Sequence, residues 1–123
     1  MPSNAQKLFA PVQLPITTPA VIYTCGGTGG ANPNFRTVLE TFTAKNNTAV
    51  PVTYTLYLVP SGGAPGVTNQ MVGPKGLSAV GLYGDTDNPP AMIRKVMQNG
   101  DTIQGVASAA ASVTVFASGT EIS

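Results

Sequence analysis

Alternation of apolar and polar residues along the chain predicts a series of short β-strands. In residues 49–59 (AVPVTYTLYLV) apolar residues alternate largely with threonine, as in a strand with one buried face. Residues 111–118 (ASVTVFAS) show the same period. Residues 35–45 (FRTVLETFTAK) are a further strand candidate, linked to 49–59 by Asn46-Asn47-Thr48, residues that favour tight turns. These two segments are therefore predicted to form a β-hairpin.

Weaker strand candidates occupy the rest of the chain, between turns rich in Gly, Pro and Asn. Residues 91–98 (AMIRKVMQ) are compatible with either a strand or a helix, because the spacing of their apolar residues also fits a helix. The following Asn99-Gly100 is a strong hairpin-turn signal and favours a strand. Together the segments predict an all-β fold, a single antiparallel β-sandwich that is either a jelly roll or an immunoglobulin-like sandwich. The eight predicted strands are 11–17, 20–25, 35–45, 49–59, 76–82, 91–98, 101–107 and 111–118.

Four prolines among the first 19 residues predict an extended N-terminal arm over residues 1–19, followed by the β-sandwich domain over residues 20–123. Two arrangements of the arm remain open. It packs along its own domain, or it reaches onto a neighbour and adds apolar burial to a small chain. The candidate partner-contact residues are Lys7, Leu8, Phe9, Val12 and Leu14 of the arm and Tyr57 of the domain.

Composition agrees with a folded β protein. The 14 Gly and 11 Pro in 123 residues disfavour a helical bundle. Charged residues make up 9% of the chain, against about 25% in typical soluble proteins. The 42% of apolar residues and the net charge of +1 are the opposite of the signature of a disordered chain.

Several function classes are disfavoured by the residues that the chain lacks. Without histidine and with one cysteine, it has no Ser-His-Asp or Cys-His machinery and no CxxC zinc motif, so we expect no enzyme, no metal and no cofactor. The six basic residues are scattered along the chain and do not form the basic patch that nucleic-acid binding requires. No apolar run approaches the roughly 20 residues that span a bilayer, and the N-terminus does not have the pattern of a secretory signal. We therefore expect synthesis in the cytoplasm.

Three remaining features are better explained by structure than by chemistry. The Gly-rich segment 26–34 lacks the ending of a phosphate-binding P-loop and is predicted to be a surface loop. Asp85 and Asp87 alternate as in a calcium loop but lack its further Glu and Gly, which favours a polar turn. Cys25 is predicted to be a small buried residue, whereas Tyr57 falls on the Thr-rich face of its strand as an exposed aromatic.

Most of residues 20–121 shares one pattern of strands, turns and small residues. It is clearest in Val21-Ile-Tyr-Thr24, residues 37–48 (TVLETFTAKNNT), Tyr57-Leu-Val-Pro60, Asn99-Gly-Asp-Thr-Ile103 and Ser118-Gly-Thr-Glu121. In these segments the chain resembles the small virion proteins of tailed bacteriophages, most closely the cement, or decoration, proteins of phage heads.

This resemblance implies a jelly-roll-like β-sandwich on the capsid surface of the virion. Such a protein binds the major capsid protein and staples neighbouring capsid subunits. It also implies self-association, with a homodimer favoured over a trimer. Two alternatives stay open: a tail or head-completion protein, and a carbohydrate- or cell-surface-binding module that uses Tyr57 and Tyr83.

Overall fold

Two antiparallel β-sheets pack against each other in the structure, a computed structural model that describes residues 3–26 and 34–122. Sheet I has the strand order β1-β9-β3-β6, with β7 also paired to β3, and sheet II has the order β2-β8-β4-β5. The prediction of an all-β sandwich is confirmed. The strands are β1 Ser3–Gln13, β2 Ala20–Thr24, β3 Arg36–Asn46, β4 Val52–Val59, β5 Gln70–Leu77, β6 Thr86–Asp87, β7 Val96–Gln98, β8 Thr102–Ala107 and β9 Val113–Ile122.

The strand pairing is nested around the β4–β5 connection. β4 pairs with β5, β3 with β6 and β7, β2 with β8, and β1 with β9, all antiparallel. Two further pairings, β3 with β9 and β4 with β8, join these pairs into the two sheets. The chain therefore runs as one long folded hairpin, whose first and last strands lie side by side.

Inward-facing residues of both sheets form one hydrophobic core. Alternation works as predicted in β8 and β9, where every second side chain is buried. The largest fully buried side chains include Tyr54, Phe42, Leu14, Leu39, Leu56, Met92, Met97 and Ile103.

The predicted hairpin of 35–45 with 49–59 is wrong, although both strands exist. β3 lies in sheet I and β4 in sheet II, so the link between them crosses the sandwich. The buried side chain of Asn46 holds this crossing. Its amide nitrogen donates to the carbonyl oxygens of Val50 (2.7 Å) and Ser78 (2.9 Å), and its amide oxygen accepts from the backbone N–H (2.8 Å) and hydroxyl (2.7 Å) of Thr48.

The hairpin predicted at Asn99-Gly100 is also absent as a strand pair. The turn forms, with Gly100 at a φ of +91° and the Asp101 N–H donating to the Gln98 carbonyl. The strands that it joins, β7 and β8, belong to different sheets. Gly and Asn therefore mark the turn correctly but do not say which strands pair.

The strand predicted at 76–82 is displaced along the chain. β5 runs from Gln70 to Leu77, and residues 78–85 form a loop. The sequence does not predict β5, because it contains Gly73 and Pro74 and both residue types are rare inside central strands. β5 is instead an edge strand with a register shift opposite Tyr54 and Leu56, which is where these residues are tolerated.

The favoured strand at 91–98 is wrong for most of its length. A single 3-10 turn covers Pro90–Met92, and β7 begins at Val96. Arg94 between them has a φ of +63°, which interrupts both regular structures. Met92 and Met97 are both fully buried, so the mixed spacing reflects two short elements that face one core.

The N-terminal segment is a strand rather than a separate arm over the residues described. β1 occupies Ser3–Gln13 and pairs with β9, so the strand predicted at 11–17 lies mostly in the connector that follows. Two register shifts interrupt the β1–β9 ladder, one between Lys7 and Phe9 and one between Phe9 and Val12. Of the two open arrangements, this chain adopts packing along its own domain.

Candidate partner-binding surface

Four of the arm residues that are predicted to contact a partner instead face the core of their own chain. Leu14 is 1% exposed, and Leu8, Phe9 and Val12 are half-buried against the core. The Phe9 ring lies 6.1 Å from that of Tyr23 and 6.3 Å from that of Phe42, within the range of favourable aromatic pairs. The side chain of Lys7 lies outside the described part of the chain. The structure thus does not bring these residues together on an open surface.

Tyr57 lies on the outer face of sheet II, as its position in the alternation predicts, but it is half-buried rather than exposed. Its partners in the strand pairing are Gln70 of β5 and Gln104 of β8. Val21 of β2 follows Gln104 in the same cross-strand row and is 53% exposed. The row therefore places one aromatic ring between two amide side chains.

A second surface gathers more exposed apolar area on and beside the loop 78–85. Its exposed residues, Val50, Val80, Leu82 and Tyr83, are 57%, 44%, 62% and 101% exposed. We call this set the Leu82 surface. Contiguous exposed apolar residues of this kind mark interaction sites more often than single ones do.

An open groove runs beside these residues at the start of β4 and the end of β5. Its volume is about 470 Å³. Apolar side chains supply part of its wall, and Ser78, Ser108 and Thr53 supply polar groups. The apolar residues that line it are Pro51, Val52, Leu77, Ala79 and Leu82.

Hydrogen bonds fix the conformation of the 78–85 loop. The Ser78 N–H donates to the Gly84 carbonyl (3.0 Å), and the Asp85 N–H donates to the Leu82 carbonyl (3.2 Å). The Val80 N–H donates to the carbonyl of Thr48 (2.8 Å), in the link held by Asn46. Gly81 and Gly84 have φ values of +86° and +92°, which other residues adopt only with strain. A loop ordered before binding loses little entropy when a partner docks.

The two aspartates predicted to form a polar turn stabilise this region. The Asp85 carboxylate accepts from the Gly81 N–H (3.0 Å) and pairs with Lys45 (3.1 Å). These contacts, the Gly81 bond first, lower the pKa of Asp85 below its ordinary value. Asp87 pairs with Lys75 (3.1 Å) and accepts the hydroxyl of Tyr54.

Two tyrosine hydroxyls connect the sheets at opposite ends of β3. Tyr54 of β4 donates to Asp87, which pairs with the last residues of strand β3. Tyr23 of β2 donates to Glu121 of β9 (2.5 Å). Burial, followed by the carboxylate bond, raises the pKa of each phenol far above its ordinary value. These tyrosines therefore hold the sandwich together and are not exposed for binding.

Cys25 is fully buried, as predicted, and its thiol contacts the hydroxyl of Thr37 (3.3 Å) and the carbonyl of Met97 (3.4 Å). Burial raises the pKa of this thiol, which keeps it in the unreactive protonated form. The Gly-rich segment 26–34 lies mostly outside the described residues, which exclude 27–33.

Comparison of the sequence with family models finds no matching family, and comparison with curated proteins finds no matching protein. Among residues 3–26 and 34–122, no three His, Cys, Asp or Glu side chains lie close enough to hold a metal ion. Over the same residues, no helix has the length and apolar character needed to cross a membrane.

Most of the Leu82 surface is not predicted from the sequence. Tyr83 is a candidate only in the carbohydrate-binding alternative, and Val80 and Leu82 are predicted to lie in a strand, because AVGLY is a short apolar run. The signal that was available is the pair Gly81 and Gly84, which interrupts the run at a spacing that suits a loop better than a strand.

Proposed function

We propose that the chain is a structural virion protein that binds the outer surface of a phage capsid and staples neighbouring capsid subunits, docking through the Leu82 surface. The observation that carries this proposal is the hydrogen-bonded loop that presents Leu82 and Tyr83 to solvent beside a partly apolar groove. Aromatic and apolar residues that are ordered before binding are typical anchors of protein interfaces.

The strand order supports the finer fold assignment, a jelly roll. In that fold eight strands form two four-stranded sheets from a long folded hairpin, and capsid and lectin domains are among its examples. The pairing of β1 with β9, β2 with β8 and β4 with β5 has this nested form. β6 and β7 together take the place of one strand beside β3.

Charge near the Leu82 surface favours close contact with another protein. The Lys45–Asp85 and Lys75–Asp87 pairs are each 3.1 Å long and neutralise the charged side chains beside the loop. Docking over neutralised charges avoids the cost of burying an unpaired ion. Many copies on one shell then multiply a modest contact into firm attachment.

The test is addition of purified protein to phage heads assembled without it, followed by co-sedimentation and a heat-stability assay of the heads. Wild-type protein is expected to co-sediment and stabilise the heads. A Leu82→Ser/Tyr83→Ser double variant should bind at least tenfold more weakly, since anchor residues commonly contribute more than about 1.4 kcal/mol. Val67→Ser is the matched control, because Val67 is 88% exposed on a different loop. Equal binding by the double variant and wild type would refute docking through this surface.

A tail or head-completion protein shares the fold and the same kind of docking surface. Gene order separates these assignments cheaply, since a cement gene is expected beside the major capsid gene. Co-sedimentation with tails and not with heads would replace the capsid proposal with this alternative.

The Tyr57 row favours a second candidate, a carbohydrate-binding module. A half-buried aromatic ring in one cross-strand row with Gln70 and Gln104 offers a stacking surface for a sugar ring. A glycan array tests it, with Tyr57→Ala expected to remove any signal and Tyr83→Ala expected to keep it. Absence of binding by wild type would exclude this candidate.

A further inference from the structure

The connector between β1 and β2 contains a strained turn. The Thr18 N–H donates to the Ile16 carbonyl (2.9 Å), and the intervening Thr17 has a φ of +78°. This is the geometry of the rare, strained form of the γ-turn. A β-branched residue is a particularly poor occupant of positive φ. Pro15 and Pro19 stiffen the chain on either side.

β1 is a terminal edge strand whose detachment leaves the rest of sheet I in place. It lies at the edge of the sheet, and within residues 3–26 and 34–122 its one ladder partner is β9. Its ladder is interrupted twice, and the second interruption contains Pro11, which has no N–H to donate. Removal of β1 would therefore break one irregular ladder and leave the other strand pairs of both sheets intact.

The slot filled by β1 and by Leu14, the residue that follows it, is shaped for their apolar side chains. Leu14 packs over Gly105, where a Cβ atom would come within 2.7 Å of the leucine Cδ2. Phe9 lies between the rings of Tyr23 and Phe42. An emptied slot would expose this apolar surface to water, so it has to be refilled by a strand of the same sequence.

We propose that β1 is an exchangeable strand, which passes from its own domain into the slot of a second copy when the turn at Thr17 opens. Every contact of β1 is then remade between chains, because the second copy presents the same slot. The closed chain carries one strained turn, and an exchanged dimer relieves two of them as the connectors extend. The exchange makes a two-fold dimer without a new interface. It stands independently of the proposed capsid binding.

A disulfide probe distinguishes exchange from ordinary dimerisation. Gln13 of β1 and Thr114 of β9 are paired in register, and a Gln13→Cys/Thr114→Cys variant is made in a Cys25→Ser background. After equilibration from micromolar to near-millimolar concentration and mild oxidation, the dimer seen by sedimentation velocity is expected to run as a covalent dimer on a non-reducing gel. The control pair Thr43→Cys/Phe116→Cys joins β3 to β9 and should close within one chain in monomer and dimer alike.

Two results would overturn the proposal. One is a monomer at every concentration, and the other is a dimer in which the Gln13–Thr114 disulfide closes within each chain.

A second pair of variants tests the hinge. Thr17→Gly removes the strain from the closed chain and is expected to weaken dimerisation by about tenfold or more. Thr18→Gly changes the flexibility of the same connector without a positive φ to relieve. Equal dimerisation constants for the two variants would contradict the role of the strained turn. The disulfide and hinge experiments contain no capsids, so a failure of strand exchange can be distinguished from a failure of the protein to bind phage heads.

Discussion

Replacing Asn46 with alanine is expected to destabilise the protein and to loosen the loop that carries Leu82. The side chain is fully buried where the chain crosses from sheet I to sheet II. It makes four hydrogen bonds, two to carbonyl oxygens and two from Thr48. One of those carbonyls belongs to Ser78, the first residue of the 78–85 loop, so the substitution acts on the fold and on the candidate site together.

The magnitude follows from these contacts. A protein hydrogen bond contributes about 1 kcal/mol net, so the four bonds together contribute about 4 kcal/mol. Val50 is exposed, and its carbonyl regains water when the amide is lost. A loss of about 2–3 kcal/mol therefore remains, out of the roughly 5–15 kcal/mol that stabilises a typical domain. With a urea m-value of about 2 kcal/mol per molar, the midpoint should fall by about 1–1.5 M.

Urea unfolding and amide hydrogen exchange measure the two consequences. The Val80 N–H, which donates to the Thr48 carbonyl, should exchange at least about tenfold faster in Asn46→Ala. Asn47→Ala is the matched control, since Asn47 is exposed and its amide bonds only to Thr114 among the contacts described. That variant should change stability by less than about 0.5 kcal/mol. Equal midpoints and equal Val80 exchange in the two variants would refute the role given to Asn46.

Three further outcomes are expected. The folded protein keeps the Tyr54 proton at pH values where the unfolded chain loses it. The contribution of the Tyr54 phenol to the free energy of unfolding is therefore complete below about pH 10 and falls as the pH rises above that value. Urea midpoints measured at successive pH values should fall less steeply in Tyr54→Phe than in wild type. Gly119→Ala should cost more than about 2 kcal/mol, because its Cβ would collide with the backbone of β3, whereas Gly76→Ala, with open space around it, should be nearly neutral in thermal unfolding. Cys25 should react with a thiol reagent only on unfolding; rapid labelling of the native protein would contradict its burial.

Local periodicity predicted most strand positions but not their pairing. β3, β4, β8 and β9 were visible because alternation is a property of a few neighbouring residues. Whether a turn joins paired strands depends on contacts distant in sequence. Asn46 reads as a turn residue, and its bond to Ser78 spans 32 positions. For that reason both predicted hairpins failed where the chain crosses between the sheets.

The candidate surface was predictable only in part. Tyr83 is a candidate only in the carbohydrate-binding alternative, and Val80 and Leu82 look like strand residues until Gly81 and Gly84 are seen in positive φ. The arm residues were chosen for their apolar character, which in Phe9 and Leu14 serves the chain's own core. Apolar side chains carry no local mark that separates a core contact from a partner contact, so only the fold distinguishes the two.

Electron cryo-microscopy of phage heads reconstituted with the purified protein tests the central claim most directly. Capsid docking through the Leu82 surface predicts density for a two-sheet domain on the outer capsid surface, at contacts between neighbouring capsid subunits, with the loop that carries Leu82 and Tyr83 facing the shell. Heads without added density, or a bound domain whose Leu82 surface faces solvent, would contradict it.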